Sequence, residues 1–140
     1  MTQFYIGVKQ IEAWELDKDG IPGYAVRYPD GYESWSPKAV FEAAYLPMGV
    51  KANGTVNNNS ITEKMVESFI ANHESQQWGP KTTLVKAELV NGYVITESSA
   101  CVDPANFSME IGEGICKDRI RNKVWELLGF LLQTARNGVK

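Results

Sequence analysis

The sequence contains few residues of the types that support metal or disulfide chemistry. Among its 140 residues there are two cysteines and one histidine. Two cysteines are too few for a disulfide framework, and the apolar neighbours of Cys101 and Cys116 predict buried free thiols. No paired-cysteine or histidine spacing typical of a metal site occurs. We therefore expect no metal and no cofactor.

Excess positive charge and long apolar runs are also absent. A net charge of −3 argues against general binding to DNA or RNA, which requires many cationic contacts with phosphates. No apolar run approaches the length of a membrane span, and the first ten residues lack the pattern of a secretory signal. The expectation is a cytoplasmic protein that binds neither nucleic acid nor membrane.

The composition and the periodic patterns predict an α+β fold. With 44% hydrophobic and 22% charged residues, the chain has the balance of a soluble globular protein. Residues 1–48 are predicted to form a small β-β-β-α unit. Its strands are expected at residues 3–13, 23–29 and 32–35. Ser36 as the cap and Pro37 at the first helical position then predict the start of the helix.

A linker is predicted after this unit, at residues 49–59. Asparagine and glycine dominate this stretch, and no apolar periodicity survives in it. A domain boundary is therefore expected here. Residues 60–140 form the second predicted domain, in which a helix is followed by a β-hairpin and a long helix.

The first helix of the second domain is predicted at residues 61–73. The spacing of Ser60 and Glu63 matches a capping box, and apolar residues recur at helical spacing after it. His73 lies at the end of this helix. We interpret His73 as a solvated residue, because no nucleophile motif accompanies it.

Asn91 and Gly92 predict the turn of a β-hairpin between residues 81–90 and 93–102. This dipeptide favours the two-residue type I′ turn. The pairs expected from that turn are Val90–Tyr93, Leu89–Val94, Ala87–Thr96, Lys86–Glu97 and Val85–Ser98. Small side chains towards the far end of one face leave two interpretations open, namely close packing of the last helix or the approach of a ligand.

A long helix is predicted at residues 109–135. Placing residues at 100° intervals gives one apolar stripe and a second apolar side. The stripe consists of Cys116, Ile120, Val124, Leu127 and Leu131, and the second side of Ile111, Ile115, Trp125 and Leu132. A helix with two apolar sides is usually covered on both, so we expect packing on its own sheet and against the N-terminal unit or a second subunit.

Four basic residues flank the main stripe of this helix. Lys117 and Arg121 share one side of it, which we call the first shoulder, and Arg119 and Lys123 share the opposite side, the second shoulder. Two cations one helical turn apart suit a phosphate or pyrophosphate. The alternative is a solvated helix whose acidic residues partly balance the charge.

Residues 61–132 resemble a family of small tailed-phage proteins. The resemblance is carried by LVNGY at residues 89–93, by SACVDPANF at 99–107 and by the helix at 112–130, with its VW and GF pairs. Separately, residues 4–47 resemble a short module at the front of several phage proteins, especially through GYAVRYPDGYESWSPKAVFEAAY at residues 23–45. Among the partners of that module is the second Thoeris anti-defence protein, a nucleotide-sequestering sponge.

The predicted helix–hairpin–helix architecture is also similar to the first Thoeris anti-defence protein, which sequesters cyclic ADP-ribose isomers and whose relatives trap cyclic oligonucleotides. This resemblance implies a stacking aromatic, an asparagine and two helical arginines. Tyr93 or Phe107 would supply the first, and Asn106 or Asn91 the second. Arg121 with Lys117 would supply the third, although a lysine at position 117 departs from a pair of arginines.

The hypothesis from the sequence is a non-enzymatic protein of the host cell cytoplasm that binds and hides an immune signalling nucleotide. It would act stoichiometrically, as a homo-oligomer whose contacts complete the pocket. One alternative is an interaction module that inhibits a host protein. Another is an enzyme, for which Asp103, Glu110 and Glu113 are candidates only by proximity.

Overall fold

The computed structural model describes all residues from 1 to 140, and the chain divides into two compact units. One comprises Met1–Ser60 together with Phe130–Lys140, and the other comprises Ile61–Gly129. Each unit contains a three-stranded antiparallel sheet and at least one helix. The predicted α+β class is therefore confirmed.

The first unit is a β-β-β-α arrangement. Strands β1 (Glu12–Glu15), β2 (Gly23–Arg27) and β3 (Glu33–Pro37) pair in that order, and helix α1 (Lys38–Ala44) follows. Aromatic residues join the helix to the sheet, since the Tyr24 and Phe41 rings stack with centroids 4.2 Å apart. Tyr24 also donates a hydrogen bond to Glu42 at 2.7 Å. Aromatic packing therefore replaces the buried helix face that α1 lacks.

Two predictions for the first unit are wrong in detail. The strand expected at residues 3–13 begins only at Glu12, because residues 1–10 have no neighbouring strand to pair with, and Phe4 is fully exposed. The helix begins at Lys38 rather than at Pro37. No side chain caps it, because Ser36 and Pro37 belong to β3.

The stretch predicted as a linker forms an ordered loop. Val50 and Val56 form an isolated β-bridge, and Asn57 is buried at the base of the loop. The Asn57 amide donates hydrogen bonds to the Met48 carbonyl at 3.1 Å and to the Ser60 carbonyl at 2.8 Å. Asparagine and glycine suit the tight turns of this loop, in which Gly49 and Gly54 have positive φ angles.

The second unit contains a sheet of three strands and two α-helices. Helix α2 (Glu63–Phe69) leads directly into strand β4 (Ile70–Trp78), which pairs with β5 (Thr82–Leu89). Strand β6 (Val94–Ala100) pairs with the other side of β5. A 3-10 turn (Pro104–Asn106) then precedes helix α3 (Met109–Asn137).

The predicted helix at residues 61–73 is only partly correct. Its cap is Thr62, whose hydroxyl accepts a hydrogen bond from the Met65 amide at 3.3 Å, and not Ser60, which hydrogen-bonds Asn57. The helix ends at Phe69, and the chain continues as β4. His73 therefore lies within a strand, opposite Ala87, rather than at the end of a helix.

The hairpin between β5 and β6 has a three-residue loop instead of the predicted two-residue turn. The Leu89 amide donates to the Tyr93 carbonyl at 2.8 Å, and the Gly92 amide donates to Leu89 at 2.9 Å with Gly92 at a φ of 87°. This is the type I turn with a left-handed glycine that also suits Asn-Gly. The register consequently shifts by one residue, so that Val85 faces Glu97.

Helix α3 packs on one face of the second sheet through small residues and a buried stripe. The Cys116 thiol donates to the Thr83 carbonyl at 3.9 Å, and a Cβ atom on Gly112 would collide with the Thr83 side chain. The buried residues of α3 are Gly112, Cys116, Ile120, Val124 and Leu128. The stripe was thus predicted correctly up to Val124.

Beyond Val124 the observed stripe departs from the prediction, because residues four apart drift around an α-helix by about 40°. Leu128 is buried, whereas Leu127 and Leu131 are exposed. On the predicted second apolar side, Ile111 and Trp125 are exposed to 65% and 41%. Ile115 on the same side is also exposed, whereas Leu132 is half-buried.

Candidate functional site

Helix α3 covers β5 and β6 but leaves the edge strand β4 open. His73, Ser75 and Gln77 lie opposite buried residues of β5, so they belong to the face of the sheet that α3 packs on. His73 is half-buried, whereas Ser75 and Gln77 are exposed. Together with Lys117 and Arg121 of α3, these three residues form a polar surface that we call the β4 shelf.

The first shoulder supplies the positive charge of the β4 shelf. Lys117 is 3.8 Å from Glu113, and Arg121 forms an ion pair with Asp118, each within the same helix. The Lys117 and Arg121 side chains are 34% and 39% exposed. Exposed pairs of this kind contribute only about 0–1 kcal/mol, so an incoming anion can displace the carboxylates.

The second shoulder instead holds α3 to β6. Arg119 donates a hydrogen bond to the Ser98 carbonyl at 2.7 Å, and Lys123 forms an ion pair with Glu97. The Glu97 side chain is only 14% exposed. Arg119 and Lys123 thus have partners on the sheet, whereas Lys117 and Arg121 have partners only on their own helix.

His73 has an unusual environment on the β4 shelf. Its Nε2 atom is buried and has no hydrogen-bond partner. Burial lowers the pKa of His73, and the positive charges of Lys117 and Arg121 lower it further. The imidazole is therefore neutral at neutral pH. The sequence prediction of a solvated His73 is wrong, because it placed the residue on a helix instead of an edge strand.

The remaining predicted site residues do not gather at the β4 shelf. Tyr93 is exposed in the hairpin loop before β6, and Asn106 and Phe107 follow that strand. A seven-residue strand separates the two positions by about 20 Å. Tyr93 precedes β6 and Phe107 follows it, so the two aromatic residues do not lie side by side on one strand.

Two of the three acidic candidates, Asp103 and Glu113, have structural partners. Asp103 caps the 3-10 turn by accepting a hydrogen bond from the Ala105 amide at 2.9 Å. Glu113 lies beside Lys117, and Glu110 is exposed in the first turn of α3. No three histidine, cysteine or acidic residues gather in a way that could hold a metal ion.

The comparison with known families concerns the region that contains the β4 shelf and α3. Residues 61–136, more than half of the chain, match the family described as "Phage protein (N4 Gp49/phage Sf6 gene 66) family". The protein belongs to this phage family. The phage relationship expected from residues 61–132 is thereby confirmed. No curated protein and no solved structure matches significantly.

The family match covers the whole second unit and continues through residues 130–136. It includes His73, Lys117 and Arg121, and it ends one residue before the end of α3. None of the helices is long and apolar enough to cross a membrane.

Proposed function

We propose that this phage protein binds a host immune signalling nucleotide at the β4 shelf and withholds it without cleaving it. The ligand class is a cyclic ADP-ribose isomer or a cyclic oligonucleotide. The observation that carries the proposal is the first shoulder, where Lys117 and Arg121 flank the unpartnered Nε2 of His73. The resemblance of the chain to Thoeris anti-defence proteins supports the same ligand class.

The charge distribution supports a small anionic ligand. The chain carries a net charge of −3, so its attraction for phosphate is local rather than general. Lys117 and Arg121 are four residues apart, which places their Cβ atoms about 5–6 Å from each other on one helix face. That spacing allows both side chains to bind one phosphate, with the guanidinium donating two hydrogen bonds.

A second copy of the chain would complete the site. The β4 shelf has polar and charged groups, but it contains no tyrosine, phenylalanine or tryptophan to stack on a base. Tyr93 is exposed, and so are the apolar residues Ile111 and Trp125 of α3. An aromatic side chain from a second subunit would stack on the base and exclude water from the phosphates.

The mechanism would be stoichiometric capture. Charge-assisted hydrogen bonds would hold the phosphates, and stacking would hold the base. The ligand would leave chemically unchanged, and the host effector that senses it would lose its signal in proportion to the amount of protein.

Isothermal titration calorimetry tests the proposal directly. The purified protein would be titrated with cyclic ADP-ribose isomers and with cyclic di- and trinucleotides. We expect saturable binding of at least one of them and recovery of the intact ligand after denaturation. Absence of heat with every compound would contradict nucleotide binding, and recovery of a cleaved product would indicate an enzyme.

An interaction module that inhibits a host protein is the second candidate function. The observation that favours it is the group of exposed apolar residues on α3, which includes Ile111 and Trp125. A pull-down from host lysate with the wild-type protein and with Ile111→Ser/Trp125→Ser separates the candidates. A stoichiometric host protein retained only by the wild type, without any nucleotide binding, would favour the interaction module.

A further inference from the structure

The side chain of His73 contains a buried nitrogen to which no other protein group hydrogen-bonds. Its Nε2 is the one buried side-chain nitrogen or oxygen without a hydrogen-bond partner. A buried polar atom without a partner costs free energy, and native proteins rarely leave one unless it has a function. His73 is one of the residues of the β4 shelf and is only half-buried, so this nitrogen lies close to the open edge of the sheet.

The charges that face His73 come from α3. Lys117 and Arg121 act on it directly, and their partners Glu113 and Asp118 lie one turn or less away on the same helix. These two cations disfavour a third positive charge as long as no anion is present.

The other charged groups near β4 form ion pairs that do not include His73. Glu74 lies on the opposite face of the sheet, where it pairs with Lys86 of β5 at 3.3 Å. Glu97 of β6 pairs with Lys123 on the second shoulder of α3. The protonation of His73 therefore depends first on its burial and then on the charges at the β4 shelf.

We propose that His73 is the third ligand of the anion held by Lys117 and Arg121, and that it takes up a proton when the anion binds. The proposal deepens the proposed function and rests on it for the nature of the anion, a phosphate oxygen. The anion neutralises the repulsion from the two cations and accepts a hydrogen bond from Nε2. His73 thereby acquires the partner that it lacks in the free protein.

Proton uptake makes binding dependent on pH. In the free protein the pKa of His73 lies below 6.5, and the bound anion raises it. Affinity therefore rises as the pH falls through the interval between these two values. Each unit of difference between the free and bound values increases the affinity by about tenfold at the acidic end.

Nuclear magnetic resonance tests this inference without any mutation, because the chain contains one histidine. The imidazole signal would be followed between about pH 5 and about pH 8, the range in which histidine titrates. Spectra would be recorded with sodium sulfate and with sodium chloride at equal ionic strength. Sulfate keeps its double charge throughout this range, so any difference reports on the protein.

We expect sulfate to move the titration of His73 to higher pH than chloride does, and Lys117→Ala/Arg121→Ala to abolish the difference. Equal titrations in the two salts would overturn the inference. A sulfate effect in a protein that binds no nucleotide would keep His73 as an anion ligand but refute the proposed function. If the wild type bound the nucleotide equally strongly at about pH 5.5 and about pH 8, the proposed function would stand, but proton uptake by His73 would be refuted.

His73→Gln provides an independent check with the same nucleotide. Phosphodiester groups stay ionised across this pH range, so the ligand itself adds no pH dependence. We expect the variant to bind the nucleotide with an affinity that does not increase at acidic pH. If the affinity of His73→Gln for the nucleotide rose at acidic pH as much as that of the wild type, another group would take up the proton, and the inference would be overturned.

Discussion

Glu97 of β6 and Lys123 of α3 form an ion pair across the interface between sheet and helix. Glu97 faces the helix because the three-residue hairpin loop sets a register in which it lies opposite the buried Val85. A two-residue loop would have turned Glu97 to the other face of the sheet. The loop type thus decides which charges meet α3.

Lys123→Ala is expected to destabilise the protein. It leaves the 14% exposed Glu97 carboxylate without its partner, which costs about 1–3 kcal/mol. Urea unfolding measures the change. The control is Lys64→Ala on the exposed surface of α2, which should stay within about 0.5 kcal/mol of wild type. Equal stability of the two variants would contradict the structural role of Lys123.

The two glycines near the start of α3 should respond in opposite directions to alanine. Gly112→Ala places a Cβ against Thr83 and is expected to cost about 1–3 kcal/mol. Gly114 has open space around it, so Gly114→Ala should gain up to about 1 kcal/mol from helix propensity. Thermal unfolding of both variants provides the comparison. Stabilisation by both would show that α3 does not approach β5 closely at Gly112.

The two cysteines should differ in reactivity. Cys116 is buried, and burial raises the pKa of its thiol, so little reactive thiolate is present. Cys101 is only partly buried, which corrects the prediction that both thiols are buried. We expect one thiol of the native protein to react with a disulfide reagent and the other only after unfolding. Rapid reaction of both thiols with the reagent in the native state would contradict the packing of α3.

His73 should make the stability dependent on pH. Its pKa is lower in the folded protein than the ordinary value of 6.5, so the unfolded chain binds a proton first as the pH falls. Stability is therefore lost as the pH decreases through 6.5 towards the folded value, and it is retained above 6.5. The unfolding free energy of wild type minus that of His73→Gln should therefore become smaller as the pH falls through this interval. A constant difference would contradict the described environment.

The long helix and its two basic shoulders were predictable from the sequence because helical periodicity is strong over many residues. Asn91 and Gly92 likewise located the hairpin. The register was wrong because the same dipeptide fits both a two-residue turn and a three-residue loop with a left-handed glycine. Pairing along β5 and β6 decides between them.

Strand β4 could not be predicted from apolar alternation. It is an edge strand with only Ile70 and His73 partly buried, and its partner β5 supplies the pairing. Gly79 and Pro80 were the available signal, since this dipeptide marks the turn into β5. Because β4 was not predicted from the sequence, the β4 shelf was not predicted either, since the shelf requires an edge strand beside α3. The sequence predicted the cation pair Lys117 and Arg121, but it did not place His73 beside this pair.

The central claim is that the first shoulder binds the nucleotide, and calorimetry on matched variants tests it most directly. Lys117→Ala/Arg121→Ala would be compared with Lys64→Ala/Lys81→Ala, which removes the same charge from exposed positions of the same unit. We predict that the first variant binds at least about a hundredfold more weakly, because each charged hydrogen bond contributes about 1.5–3 kcal/mol. The control should keep its affinity. Equal affinity of the two variants would contradict the claim.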